Sequence, residues 1–346
     1  MNGFLTASRV LHRIRANRIS WSALSLLALL SESFPGPLHA QEWVDMVVGY
    51  SAISASQAAP WIMQDAGLLE KHHLNAKLVY IPTTKMAVAI VSGDIKIAQN
   101  NGVQVVDAVL AGADSVFVGG TSNSLHFYLM VSPEITGVED LKGKSIGITR
   151  FRSSTDFAAR LLLKKFGLVP NKDVTIYQTG GHPESLAAMQ SGVIKAALLS
   201  SPSDLRARAL GYKELMDVAK LGIPFQSTGI VTTRAYLKNQ RDGVRRYLMA
   251  YIEGLHLLFT NKSLAVAVLK KYTRTTDPKM LDLTYDYATK IVERVPRPTL
   301  EGIQLVLDVV GEVNPKAKNY KPADFVDLSL IQQLEKEGFI KKVWGS

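Results

Sequence analysis

Ser92-Gly93-Asp94-Ile95-Lys96-Ile97-Ala98 and Ser191-Gly192-Val193-Ile194-Lys195-Ala196-Ala197 lie 99 residues apart and agree at Ser, Gly, Ile, Lys and the final Ala. Carried forward without a gap, the same offset places Ala108 over Ala207 and Gly112 over Gly211, making seven agreements within 21 residues. Gly67-Leu68 matches Gly167-Leu168 at an offset of 100, and Gly49 matches Gly147 at 98. A series of matches at one spacing is the signature of a duplicated structural unit.

Each copy alternates short β-rich runs with helical ones. The first predicts strands near 44–50, 76–81 and 95–98, helices near 60–70, 85–92 and 103–111, and a further strand at 115–118. The second repeats this with strands near 145–149, 174–178 and 194–199 and helices near 155–166, 184–190 and 203–210. That order reads as parallel α/β winding. After each copy comes a continuous β-rich run, 126–132 and 228–233, read as a crossover strand. Four segments with i, i+3, i+4 apolar spacing follow (242–260, 262–272, 278–293, 299–313) and must dock on the first lobe to bury their faces. The tyrosines among them (Tyr247, Tyr251, Tyr272, Tyr285 and Tyr287) read as packing. The expected fold is therefore α/β with two lobes, each a mostly parallel sheet flanked by helices, joined by two crossover strands. Lobe 1 takes 41–127 and 228–346; lobe 2 takes 128–227.

Residues 1–40 are set apart by composition. Arg9, Arg13, Arg15 and Arg18 stand against Glu32 alone, and an apolar run at 21–30 is followed by Ser31, Ser33, Pro35, Gly36 and Pro37. This is the order of a secretory signal, with a cut expected after Ala40, and the run is too short to span a bilayer, which needs about 20 apolar residues. No twin arginine and no cysteine accompany it, so neither a Tat address nor lipidation is indicated. Without those four arginines and one glutamate the chain keeps 36 Lys+Arg against 29 Asp+Glu, a net charge of +7 instead of +10. The excess is scattered in pairs such as Lys164-Lys165 and Lys341-Lys342, which does not suit a phosphate backbone, so no nucleic-acid partner is expected. Zero cysteines exclude disulfides, thiolate metal sites and cysteine nucleophiles.

In open parallel sheets ligands collect at the carboxyl ends of strands, where loops feed helix N-termini. In the first copy those loops hold Ser54, Ala55 and Gln57, then Thr83 and Thr84, then Asn101; in the second, Arg152, Ser153, Ser154 and Thr155, then His182, then Ser201 and Pro202. They supply hydroxyls, amides and arginine without a carboxylate, which favours an oxygen-rich, anionic small ligand. One of Arg150 and Arg152 is expected to face the cleft. No G-x-S-x-G, G-x-G-x-x-G or H-E-x-x-H occurs, and 137–145 departs from a P-loop in spacing and in preceding a strand. Neither catalytic residues, a metal nor a cofactor is expected; His72-His73 are adjacent and point apart.

The segment Asp140-Leu-Lys-Gly-Lys-Ser-Ile-Gly-Ile148, with Ala59-Pro60-Trp61 before Asp65-Ala-Gly-Leu-Leu69, the paired Ser-Gly-x-Ile-Lys elements and Gly229-Ile-Val-Thr-Thr233, resembles the substrate-binding proteins of nitrate/sulfonate/taurine-type ABC importers. These share a fold with THI5-like pyrimidine synthases. The resemblance covers 43–340. It implies a monomeric, non-enzymatic periplasmic protein of the type II two-lobed kind that closes on a small molecule and delivers it to a permease driven by an ATPase. It also implies ligand contacts from Ser54 to Gln57, Thr83-Thr84, Asn101, Arg152 to Thr155 and Ser201-Pro202. The family usually carries an acidic residue where Lys96 and Lys195 stand; both open a strand and are expected to face away from the cleft. The synthase branch relies on a cysteine-rich iron motif that this chain lacks. The alternatives are a pyrimidine-precursor enzyme or binding protein and a ligand sensor for a membrane kinase.

Overall fold

The computed structural model describes residues 42–345, so the signal-like segment 1–40 and its cut after Ala40 lie outside the described residues. In the first copy the elements are β1 (Val44–Tyr50), α1 (Ala58–Asp65), α2 (Leu68–Lys71), β2 (Leu74–Tyr80), α3 (Thr83–Val91), β3 (Ile97–Asn100), α4 (Gly102–Leu110) and β4 (Ser115–Ser124). The second copy supplies β5 (Tyr128–Val131), β6 (Ser145–Ile148), α5 (Ser154–Lys165), β7 (Thr175–Gln178), α6 (His182–Gln190), β8 (Ala196–Leu199), α7 (Ser203–Ala209) and β9 (Lys213–Asp217). The chain then enters β10 (Pro224–Thr233) and the helices α8 (Arg234–Asn239), α9 (Arg241–Thr260), α10 (Lys262–Thr273), α11 (Pro278–Ile291), α12 (Leu300–Gly311), α13 (Ser329–Lys336) and α14 (Phe339–Trp344).

Two five-stranded sheets result, ordered β2-β1-β3-β10-β4 and β7-β6-β8-β5-β9. They are copies of one another position by position. β1 pairs in parallel with β2 and β3, as β6 does with β7 and β8. The fourth place in each is taken by an antiparallel strand, β10 between β3 and β4, and β5 between β8 and β9. β5 follows directly from β4 of the first sheet, and β10 follows β9 of the second. Each sheet is thus completed by a strand that arrives from the other. β10 begins at Pro224, opposite Ser124, four residues before the expected crossover.

The shared glycines have a physical cause. Gly93 and Gly192 end the helix before the third strand with φ of +81° and +76°, and Gly112 and Gly211 end the next helix at +98° and +88°. Gly67 and Gly167 sit at +66° and +73°. These are left-handed C-cap conformations that a Cβ disfavours. Gly49 and Gly147 serve differently. A Cβ there would meet Met86 Sδ at 2.6 Å or Ile194 Cδ1 at 2.4 Å, so each central strand lets one large side chain lie against its backbone. Lys96 Nζ donates to the carbonyl of Gly93 in its own turn, and Lys195 pairs with Glu134 after β5; neither lines the cavity between the lobes.

The C-terminal helices pack on the lobe of the first sheet. In α9, Tyr247, Tyr251 and Leu255 are fully buried, Tyr251 taking a 2.6 Å hydrogen bond from Gln99 of β3. Tyr272 stacks on Trp61 of α1, with ring centroids 4.9 Å apart, so the tyrosine series is structural. No single helix among the described residues is long and apolar enough to cross a membrane; α9 and α10 pass such a test only as a pair bent by 106°.

Gly93→Ala and Gly192→Ala each introduce a Cβ at positive φ without a steric clash, since no backbone atom crowds either site. Each substitution is expected to lower stability by about 1 kcal/mol, and by similar amounts at the two sites, in equilibrium urea unfolding. Unchanged midpoints would contradict the left-handed assignment.

Candidate functional site

The carboxyl ends of β1, β2 and β3 in one sheet and of β6, β7 and β8 in the other open onto a single cavity of about 140 Å³. One lobe contributes Ser51, Ala52, Ile53, Ser56 and Gln57 after β1, Tyr80 at the end of β2 and Asn101 after β3. The other contributes Thr149 and Arg150 after β6, Ser153 to Thr155 at the start of α5, Gly180 to Glu184 after β7, and Ser200 after β8. The two crossings supply His126 and Phe127, in the link between β4 and β5, and Ser227 and Thr228 on β10. A cavity of about 150 Å³ holds a benzene-sized molecule, which sets the scale of an occupant at roughly six to eight non-hydrogen atoms.

Hydrogen bonds join the two rims. Ser200 Oγ donates to Ser54 Oγ at 2.9 Å, the Ala55 amide donates to the Ser201 carbonyl at 3.1 Å, and Ser154 Oγ donates to the Ser227 carbonyl at 3.3 Å. Farther out, Gln104 Nε2 donates to the Arg152 carbonyl at 3.0 Å, and the Arg152 guanidinium forms an ion pair with Asp107 of α4.

Of the residues selected from sequence, Gln57, Asn101, Ser153, Ser154, Thr155 and His182 line this cavity. Ser54 does not: its hydroxyl accepts from the Ser56 amide and from Ser200, acting as a cap and a strut, and Ala55 engages through its backbone alone. Ser201 and Pro202, joined by a cis peptide bond, lie just behind Ser200, with Ser201 Oγ donating to Asp204 at 2.6 Å. Thr83 and Thr84 open α3, and their side chains fall outside the described set.

Arg152 is the clearest correction. β6 ends at Ile148, and the turn that follows puts Arg152 at φ +64°, aiming its side chain out of the cavity to Asp107. Arg150 lines the cavity instead, donating from Nη1 to the Gly180 carbonyl. A second correction is Glu184, a carboxylate on a wall expected to have none. Arg150 and Glu184 both act on Tyr80, whose pKa is raised mainly by burial, lowered by Arg150 and raised by Glu184.

His126 was missed because it belongs to a crossing, not to a loop at a strand end. The available signal was topological: two strands passing between lobes must run behind the cleft, so polar residues on them face it. His126 Nδ1 lies 3.1 Å from the Ser124 carbonyl and 2.8 Å from Ser122 Oγ. A carbonyl only accepts, so Nδ1 carries the proton and Nε2 of the neutral ring is an acceptor. His182 Nδ1 is buried with no hydrogen-bond partner among the described residues. Burial pushes both imidazoles down to about 4; the Ser124 carbonyl and the Leu198 backbone respectively oppose this. Both rings are neutral at pH 7, which leaves Arg150 as the only cationic side chain on the cavity wall among the described residues.

The fold and this cavity together define the two-lobed architecture of periplasmic binding proteins. A family model described as NMT1/THI5 like matches residues 62–263, more than half of the chain. The chain belongs to the NMT1/THI5-like family. Solved structures with the same architecture include a protein from Bordetella bronchiseptica RB50 (TM-score 0.75, 15% identity, 87% of this chain and 98% of that one). The alkanesulfonate-binding protein SsuA from Xanthomonas axonopodis pv. citri, bound to MOPS, has a TM-score of 0.69 at 19% identity, over 83% of this chain and 99% of that one. The nitrate-binding protein NrtA from Synechocystis PCC 6803 has a TM-score of 0.71 at 11% identity, covering 86% and 89%. A Brachyspira hyodysenteriae protein, named as a candidate ABC transporter periplasmic binding protein, is 26% identical over 154 residues, 43% of this chain and 43% of its own length.

The buried histidines give a pH dependence of definite sign. With folded pKa values near 4 and unfolded values near 6.5, stability is complete above pH 6.5 and falls as the pH drops toward 4, because only the unfolded chain takes up protons in that window. The loss is on the order of 2–3 kcal/mol per ring. Thermal unfolding followed from pH 7.5 to 4.5 is expected to show the decline, with a shallower slope in His182→Asn; an equal slope in that variant would remove His182 from the account.

Proposed function

We propose that this protein is the periplasmic solute-binding component of an ABC importer, exported by the signal-like segment 1–40, which captures a small oxygen-rich molecule between its lobes without chemical turnover and hands it to a membrane permease and its ATPase. The observation that carries the reading is the cavity between the two rims, walled by strand-end loops from both copies of the unit. Contacts made from both rims at once exist only when the lobes are together, so an occupant shifts the open–closed population toward closure. The family membership and the functions borne in the names of the SsuA, NrtA and Brachyspira proteins support the same assignment.

The wall also narrows the ligand. Arg150 is the single cationic side chain among the described wall residues and offers a partner to one anionic group, with the Glu184 carboxylate as the opposing charge on the wall, whereas the neutral histidines add hydrogen bonding without charge. His126 Nε2 offers a lone pair, which asks for a hydroxyl or amino donor on the ligand. A small organic sulfonate or carboxylate bearing such a donor meets both demands; nitrate presents acceptors only. Gln57, Asn101, Ser153, Ser154, Thr155 and His182 are the remaining contacts of this reading, to which the sequence adds Thr83 and Thr84.

The test is a thermal-shift screen of the mature chain against small oxyanions, followed by calorimetric titration of the strongest hit. Arg150→Ala is expected to weaken binding at least about tenfold, the worth of one charge-assisted hydrogen bond. Arg152→Ala, which removes a half-exposed ion pair, should weaken it no more than about fivefold. A hit indifferent to Arg150→Ala would place the ligand elsewhere.

A further inference from the structure

Outside the inner cavity the seam between the lobes widens into a second chamber, open to solvent, of about 870 Å³. The two share Ile53 and Pro183 as a common wall, so they adjoin along the seam. Tyr50, Tyr272, Met280 and the segment 273–277 form one side, and Arg206 of α7 forms the other.

The charges there do not cancel. Lys271 is held by Asp65 at 2.8 Å, and Asp277 accepts from the Met280 amide as the cap of α11. Arg206 reaches across the seam and donates from Nη2 to the Thr273 carbonyl at 3.1 Å, the Arg274 carbonyl at 3.4 Å and Thr275 Oγ1 at 2.9 Å. Each of these acceptors is neutral, and no carboxylate pairs with Arg206 among the described residues. Burial alone lowers its pKa, as expected for a partly desolvated cation with no counter-charge. Its Nε and Nη1 hydrogens have no acceptor among the described residues. Arg274 is exposed, and its guanidinium has neither an ion pair nor a hydrogen bond among the described residues. Two arginines, one from each lobe, therefore line an open chamber next to a cavity too small for more than a handful of atoms. Planar guanidinium forks are the side chains best matched to oxyanions.

We propose that this chamber is an anion subsite at the mouth of the cleft, where a carboxylate, sulfonate or phosphate group is held between Arg206 of one lobe and Arg274 of the other. Taken with the function proposed above, on which this extension rests, the ligand is a bifunctional anion. Its small hydrogen-bonding head lies in the inner cavity, and its second acidic group lies outside. Because the two arginines stand on different lobes, the outer group adds a bridge that exists only on closure.

Inorganic sulfate is the probe. Calorimetric titration at low ionic strength is expected to show two sulfates per chain in the millimolar range or tighter. Arg274→Gln, at an exposed position, should abolish one of them or weaken it at least about tenfold and leave the other. Arg206→Gln should do the same, with circular dichroism confirming its fold. Arg150→Gln should remove the complementary one. A single sulfate lost in Arg150→Gln and untouched by Arg274→Gln overturns the outer subsite and leaves the cavity reading standing. A single sulfate with the opposite response supports the subsite and overturns the cavity reading. No saturable sulfate binding overturns the subsite.

Discussion

Each sheet is finished by a strand that belongs, in chain order, to the other half, and the rest of the molecule follows from that exchange. β5 can lie between β8 and β9 only if the chain leaves the first sheet through β4, and β10 can lie between β3 and β4 only if it returns from the second. Both passages then run side by side behind the space between the lobes. The strand-end loops of the two halves are brought face to face, and the crossings become the floor beneath them, which is why His126, Phe127, Ser227 and Thr228 share a cavity with residues from six separate loops. Two connections also restrict relative motion to opening and closing, the hinge type of domain movement.

How much of this can be read from the chain alone depends on whether the controlling force is local. The glycine pairs 93/192, 112/211 and 67/167 mark left-handed helix ends, a demand imposed by a single residue's backbone, and they disclose the duplication directly. Apolar periodicity likewise places α9 to α12 within one or two residues. Non-local pairing is less visible: β4 runs on to Ser124 because β10 lies along it, and β9 owes its existence to β5. In the site, the loops of interest were legible as strand ends, but which side chain enters the cavity was not. Arg152 and Arg150 differ by one backbone turn, and it is Asp107, 45 positions away on another element, that gives Arg152 its direction. Ser54 has the chemistry of a ligand contact, yet Ser200 on the opposite rim occupies it first.

The electrostatics of the wall separate two ways of recognising a polar molecule. A site built on several cations attracts any anion and relies on charge number. Here two imidazoles stand in the wall without charge, held so by burial, and the one arginine among its described residues shares the wall with the Glu184 carboxylate. Discrimination then falls on directional donors and acceptors, where a mismatched ligand leaves a buried group unpaired, at a cost of about 1–3 kcal/mol each. The unpartnered His182 Nδ1 is the kind of atom at which that cost is felt.

The same reasoning bears on closure. Ser54–Ser200, Ala55–Ser201 and Ser154–Ser227 already join the rims, and such neutral hydrogen bonds contribute about 1 kcal/mol apiece. The half-exposed Arg152–Asp107 pair adds at most about 1 kcal/mol. These contacts together contribute on the order of a few kcal/mol to closure, a range in which a ligand's differential affinity can decide the population. A clamp much stronger than this would close without cargo; a weaker one would demand that the ligand supply the entire driving force. Hydroxyl-to-hydroxyl and backbone contacts hold the inner rim, while the charged contacts between the lobes (Arg152–Asp107, Lys164–Glu312, Lys290–Asp217 and the bonds of Arg206) lie farther out, which leaves the inner contacts to a molecule of a few atoms acting as the switch.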